Sequence, residues 1–201
     1  DYPSATSEKQ KVQSGSNLNV EQILQLKPDV LITNTMGITK EQINSIERHS
    51  IPVVVTEATD FGGVYRSITL IAKVFNKQEK GNQISTQMRD KIDGCWSKAS
   101  KQAGGKSIYI EVSPLQYGLW SGGQGTFVQD ICDNLLLTNV CAELNGWSSL
   151  GQELVIDKNP DIIIAATDPT MVAEDPVQEI KNRAGWGNIS AVKNNKVYSM
   201  D

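Results

Sequence analysis

A thirteen-residue segment occurs twice in this chain. Glu21-Gln-Ile-Leu-Gln-Leu-Lys-Pro28-Asp29-Val-Leu-Ile-Thr33 is matched by Glu153-Leu-Val-Ile-Asp-Lys-Asn-Pro160-Asp161-Ile-Ile-Ile-Ala165. The glutamate, proline and aspartate coincide, and so do the apolar positions. A proline cannot continue a helix, so each copy reads as a short helix, a stop and then a buried strand. Val30-Leu31-Ile32 and Ile162-Ile163-Ile164 are unbroken apolar runs, as expected of parallel strands covered on both faces. The offset is far too long for a solenoid period. Two copies in opposite halves instead point to two similar lobes.

Further elements follow the same alternation. Lys40–Glu47 has helical spacing and precedes a strand at Ile51–Val55. A strand at Ser107–Val112 opens the second half, and Lys196–Met200 reads as a last one. Strands alternating with helices predict an α/β fold with mainly parallel sheets. Between the halves, Val64–Phe75 and Glu79–Gln102 carry apolar residues at helical spacing, and Gly104-Gly105 ends the tract. A helix of about 20 residues reaches roughly 30 Å and would join two lobes stiffly. The expected organisation is an N-terminal lobe at 1–62, a backbone-helix linker at 63–103 and a C-terminal lobe at 104–201.

Charge and cysteine content narrow the partners. A net charge of −4 and a pI near 5.1 leave no Lys/Arg stripe for nucleic acid. Lys77, Lys80, Arg89, Lys91, Lys98 and Lys101 are interleaved with acids, as on a solvated helix face. No run of about 18 apolar residues would span a membrane. Asp1-Tyr2-Pro3-Ser4 has no signal-peptide character, although a signal removed earlier would leave none. Cys95, Cys132 and Cys141 match no metal or redox spacing. A Cys132–Cys141 bridge and three buried thiols are both open, the thiols being the simpler reading.

Catalytic motifs are missing where they would be needed. Gly104-Gly105-Lys106-Ser107 resembles the end of a phosphate loop, but Ser100 stands where a glycine belongs and a strand follows. There is no Gly-x-Ser-x-Gly elbow. His49, the sole histidine, lies in a polar stretch and reads as a surface residue, so a Ser-His-Asp relay has no base. No enzyme is expected. Binding is better equipped. Ser113–Phe127 holds four glycines with Tyr117 and Trp120, after a strand and before a helix at Val128–Leu137. Open α/β sheets bind ligands at that end of a strand, and aromatic faces beside polar groups suit a flat ligand. The plainer reading is a glycine-rich turn with Trp120 in the core. Trp147 sits in a polar turn before the second repeat copy. Trp186 reads as structural, and Trp96 as packed on a lobe.

Ser14–Ile32, Gly118–Phe127, Trp147–Ile164 and Gly185–Tyr198 together resemble the helical-backbone class of periplasmic binding proteins. Members of that class serve ABC importers for vitamin B12, ferric siderophores and haem. The resemblance implies two α/β lobes on one long helix, with ligand in the cleft between them. It implies no catalysis and no cofactor, only a metal-organic ligand, cobalamin or an iron chelate. The site would lie outside the cytoplasm, periplasmic or lipid-anchored at the cell surface. The family docks one glutamate per lobe on its permease, and Glu21 and Glu153 occupy those positions. Trp120 and Trp147 fall where B12 receptors place ligand-contacting aromatics. In the first lobe, Gly15 and Asn34 stand where those receptors carry tryptophans, which widens the cleft. Tyr2, Asn34, Phe61 and Tyr117 complete the candidate ligand set. Thr33–Met36, Glu57–Gly63 and Thr167–Met171 carry no Arg or Lys, which favours a neutral corrinoid over an anionic chelate. A ferric-siderophore or haem receptor is the alternative, and a nitrogenase-like cluster scaffold or enzyme a minor one. The family pattern has a strand and helix before Asp1 and a helix after Asp201, so a cropped form or a dimer through the N-terminal lobe is expected.

Overall fold

In a computed structural model, residues 4–13, 18–167 and 175–200 are described, and the chain divides into two compact units, 1–58 and 59–201. Each copy of the repeat builds the same piece of one of them. Helix α1 (Val20–Leu26) ends at Lys27 in the left-handed conformation, and strand β1 (Leu31–Asn34) follows Pro28. Helix α6 (Gln152–Lys158) ends at Asn159, also left-handed, and strand β7 (Ile162–Ala165) follows Pro160. Ile23 and Val155, at matching positions, are both buried. A left-handed residue closes the helix and turns the chain, and the proline after it prevents continuation.

In the first unit, β1 pairs in parallel with β2 (Val53–Thr56), Leu31 opposite Val53. Helix α2 (Lys40–Glu47) lies between them in sequence and starts with a capping box. Thr39 accepts from the Gln42 N–H while the Gln42 side chain accepts from the Thr39 N–H. Ile23, Ile38, Ile46 and Ile51 form its core, with Leu31, Val53 and Val55 packed against them.

In the second unit, helices α3 (Phe61–Val74) and α4 (Gln78–Ala103) pack on each other. At 26 residues, α4 is the longest element, about 39 Å at 1.5 Å per residue. The two stretches of helical spacing are thus two helices, the long one being α4, with a turn at Phe75–Lys77 where a left-handed Asn76 redirects the chain. A four-stranded sheet follows in the order β5-β3-β7-β8, all parallel, from β3 (Ser107–Glu111), β5 (Thr138–Asn139), β7 and β8 (Val197–Ser199). On one face Tyr109 and Ile163 pack with Val155, Ile180, Trp186 and Ile189; on the other, Ile108 and Ile110 pack with Val128 and Cys132. Both faces are covered, which is why the strand sequences read as continuous rather than alternating. Helices α5 (Phe127–Asn134), α7 (Pro176–Asn182) and α8 (Ser190–Lys193) complete the unit with α6.

All three thiols are free. Cys132 and Cys141 are buried, and burial pushes the Cys132 thiol up to about 12. Cys95 is exposed on α4, which corrects the expectation of three buried thiols: Gly81 is the one buried residue of that helix. Trp186 is buried, its Nε1–H donating to Gln152 Oε1 at 3.1 Å. His49 is exposed, its ring Nδ1 2.9 Å from the Ser45 carbonyl oxygen at the end of α2.

Candidate functional site

The stretch read as a loop after β3, and the turn read around Trp147, are two strands of one ribbon. β4 (Leu119–Gly122) pairs antiparallel with β6 (Trp147–Leu150), Trp120 opposite Ser149 and Gly122 opposite Trp147. This corrects the loop reading. The strands are only four residues long, and 24 residues of chain separate them, so no hairpin signal marks either. The register sets Trp120 and Trp147 on one face as diagonal neighbours, a relation that places Cβ atoms roughly 7 Å apart. Leu119 and Ser121 on the opposite face are buried, whereas Trp120 is 40% exposed and Trp147 49%. The two indoles therefore form one open aromatic platform, and the reading that buries Trp120 falls.

The backing of that platform is tight and polar. Asn139 Nδ2 donates to the Gly122 carbonyl and to Gln129 Oε1, both at 2.9 Å, and its Oδ1 accepts from the Cys141 N–H at 2.9 Å. The buried Ser121 hydroxyl donates to the Ile110 carbonyl at 2.6 Å, tying the ribbon to β3. Thr126 caps α5 and its hydroxyl donates to the Gly123 carbonyl at 2.8 Å. Gly123 is obligatory on space alone, since a Cβ there would lie 2.0 Å from the Leu144 carbonyl oxygen. Satisfied buried polar groups of this kind hold one geometry. None of them was singled out from sequence; each is a common polar residue whose role depends on the fold.

Tyr117 is 61% exposed at the end of a 3₁₀ turn (Leu115–Tyr117) leading into the ribbon. Phe61 is half-buried, its ring edge-on to Trp96 (5.0 Å) and Phe127 (5.6 Å), and its N–H donates to Asp130 Oδ2 at 2.9 Å. Two aromatic neighbours already occupy it. Asn34 is exposed at the carboxyl end of β1, in the first unit. Tyr2, Gly15 and the loop from Asp168 to Met171 lie outside the described residues.

Electrostatically the platform is bare. Ser113–Phe127 and Leu144–Gly151 contain no charged side chain. Beneath β3, however, lies a buried ion pair that the sequence did not reveal. Arg183 donates to both oxygens of Glu111, at 2.9 and 3.0 Å, and also pairs with Glu179. Burial pushes Glu111 up, and the Arg183 guanidinium opposes it. The guanidinium lies 4.2 Å from the Trp186 ring centre, so the pair joins β3 to α7 inside the core.

Glu21 and Glu153 each occupy the second position of their helix and both are exposed. Their surroundings differ. Asn19 caps α1 by accepting from the Gln22 N–H at 3.0 Å. Gly151 at the matching place has no side chain, and a Cβ there would lie 2.7 Å from Glu153 Oε2. Among the described residues no His/Cys/Asp/Glu group could hold a metal ion, and no helix is long and apolar enough to cross a membrane.

The chain thus has two separate α/β units that share a duplicated module, and the second carries an open aromatic platform. The chain belongs to the periplasmic binding protein family, whose family model matches residues 1–201. Members of that family are transport binding proteins and not enzymes. The chain is 29% identical over 205 residues to an uncharacterized ABC transporter substrate-binding lipoprotein of Bacillus subtilis, covering 100% of this chain and 63% of that one. A possible iron-binding (periplasmic solute-binding) protein from Staphylococcus epidermidis superposes with a TM-score of 0.80 at 24% identity, over 100% of this chain and 78% of that one. The periplasmic vitamin B12-binding protein of Vibrio cholerae gives 0.77 at 18% identity, over 100% and 76%. These structural likenesses establish the fold. Other matches are named for binding molybdate and haem. The chain spans 63% and 57% of the length of the first two curated relatives.

Proposed function

We propose that this chain is the ligand-capturing part of an extracytoplasmic solute-binding protein of an ABC importer, and that its ligand is a corrinoid. In this reading the lobes are 1–62 and 104–201, with 63–103 as linker. Ligand lies against Trp120, Trp147 and Tyr117 of the second lobe, and Asn34 is the candidate contact of the first. Glu21 and Glu153 present two carboxylates to the permease, one per lobe.

The single observation that carries the ligand class is the pair of exposed indoles side by side on an uncharged ribbon. Large aromatic faces gain by covering a broad apolar ring. Relatives named for vitamin B12, molybdate and haem offer three candidate ligands, and the chemistry ranks them. Molybdate is a small oxyanion that needs N–H donors or cations, and two indole faces supply neither in number. Haem has the flat ring but also two carboxylates, which call for Arg or Lys. A corrinoid needs the apolar face without the cations.

Cyanocobalamin titrated into the chain should quench tryptophan fluorescence saturably. Trp120→Ala and Trp147→Ala should each weaken binding by about 1–3 kcal/mol, in the range of an aromatic anchor truncated at an interface. Haemin and molybdate run in parallel separate the alternatives. Saturable haemin binding with none by cyanocobalamin selects the haem reading. No binding by any of the three removes the platform as the site.

A further inference from the structure

The ribbon uses one end of the second unit; the helix pair α3–α4 offers a different surface. Its base is anchored, since Phe61 packs on Trp96 near the end of α4 and on Phe127 of α5. Its tip lies some 15 residues up α4 from Trp96, roughly 22 Å away at 1.5 Å per residue. There the helices cross closely on small residues: a Cβ on Gly81 would lie 2.5 Å from the Ala72 Cβ. Beside that crossing runs a groove lined by Ile68, Ile71, Phe75 and Ile84, with Lys77 and Lys80 on it. Leu70, Val74, Phe75 and Ile84 are exposed, Phe75 by 56%. Another groove on this hairpin, lined by Arg66, Thr69, Lys73 and Arg89, is cationic, and the Arg89 guanidinium lies 4.0 Å from the Tyr65 ring centre. Asp60 pairs with Arg66 at 3.7 Å.

Charge is segregated to match. Residues 64–89 hold five Lys/Arg and one carboxylate, Glu79, in a chain whose net charge is −4. Exposed apolar residues rimmed by lysines and arginines, on an otherwise acidic protein, are the composition of a surface that settles on anionic lipid. Aliphatic lysine stems can lie along the apolar strip while their ammonium groups reach phosphate. We infer that the tip of the α3–α4 hairpin docks on an anionic bilayer surface. Phe75 and Ile84 of the apolar groove enter the headgroup boundary, and Lys77 and Lys80 on that groove, with Lys73 of the neighbouring cationic one, meet lipid phosphates. The inference is independent of the ligand reading, since it uses no residue of the ribbon.

The test is co-sedimentation of the 201-residue chain with vesicles of phosphatidylglycerol and phosphatidylcholine (1:1), against pure phosphatidylcholine, from 0.05 to 0.5 M NaCl. Binding to the anionic vesicles alone is expected, falling steeply with salt as the Debye length shortens. Each cation removed should weaken it about fivefold, so the combined variant K73E/K77E/K80E should lose more than 100-fold. Phe75→Ser should lower affinity with the salt dependence unchanged. These side chains are exposed, so the variants should melt like the parent, and circular dichroism checks that. Equal sedimentation with phosphatidylcholine, or none with either vesicle, overturns the inference. So does light scattering that shows a dimer which K77E/K80E dissociates, because the face would then belong to a second copy. Loss of vesicle binding in millimolar inorganic phosphate at constant ionic strength would show a free-anion site and overturn it as well.

Discussion

At the residue scale, the candidate site depends on groups that touch no ligand. Gly123 has no room behind it, with the Leu144 carbonyl 2.0 Å from where a Cβ would be. Its N–H also donates to the Gly146 carbonyl at 3.0 Å, one of the bonds that set the ribbon register. Gly123→Ala must push the two segments apart, and overpacking of this sort costs about 1–3 kcal/mol. The expected outcome is a lower urea midpoint together with weaker tryptophan quenching, because the strand carrying Trp147 shifts. A second residue governs the response to acid. Asp161 Oδ2 accepts from the Ser107 N–H (2.9 Å) and hydroxyl (3.0 Å), which hold its carboxyl below the usual value. The ionised form is the one the fold favours. Its contribution is therefore complete above the unfolded-state value, about 3.9, and disappears as pH falls through the lower folded value. Asp161→Ala should cost about 1 kcal/mol at pH 7 and less at pH 2. An equal cost at both pH values in paired urea melts would refute the assignment. Trp120, Trp147 and Tyr117 were legible as candidates because large aromatics in glycine-rich polar segments have few structural uses. Gln129 and Asn139 were not, since their meaning arises only where distant strands meet.

At the scale of elements, the repeat makes a prediction in which the two copies part company. Lys27 and Asn159 both close their helices in the left-handed region, at φ of 48° and 45°. A lysine resists that conformation by roughly 1 kcal/mol, whereas glycine adopts it freely and asparagine tolerates it. Lys27→Gly should thus raise the melting temperature. Asn159→Gly should lower it instead, because Asn159 Oδ1 accepts from the Ser190 N–H at 2.8 Å and that bond would be lost. Differential scanning calorimetry of the two variants decides it, and a gain from both would mean that the side-chain bond contributes nothing. Helix starts and stops were readable from sequence for a related reason. Prolines, glycines and polar caps act within a few residues, so α2 at Lys40–Glu47 falls where its spacing predicted. The parallel strands were readable because burial on both faces leaves apolar runs. The β4–β6 ribbon was not, since its open face is polar or aromatic and its pairing spans a long stretch of chain. The turn in the helical tract showed in the sequence only as a break in the helical spacing between Phe75 and Glu79, since Phe75-Asn76-Lys77 carries neither proline nor glycine; its conformation rests on the left-handed Asn76.

At the scale of the molecule, the duplicated modules lie in different sheets and different units, β1 beside β2 and β7 between β3 and β8. Had they been neighbours in one sheet, two equivalent carboxylates would have no reason to face separate partners. As it is, Glu21 and Glu153 stand at the same helical position in each copy, exposed, with no intramolecular ion pair to either among the described residues. Local stability does not explain the match. A carboxylate in a first turn contributes about 0.3–1 kcal/mol through the helix dipole, and many residues could supply that. Under the proposed function, two such groups, one on each unit, would be read by a two-fold symmetric partner. Glu21→Ala/Glu153→Ala should therefore fold with at most about 1–2 kcal/mol lost and bind its ligand with unchanged affinity. It should nonetheless fail to stimulate ATP hydrolysis by the cognate importer reconstituted in vesicles. Each single variant should fall between, since one dock of the pair survives. Full stimulation by the double variant would show that the carboxylates serve only their helices, and the docking face would then have to be sought elsewhere on the two units.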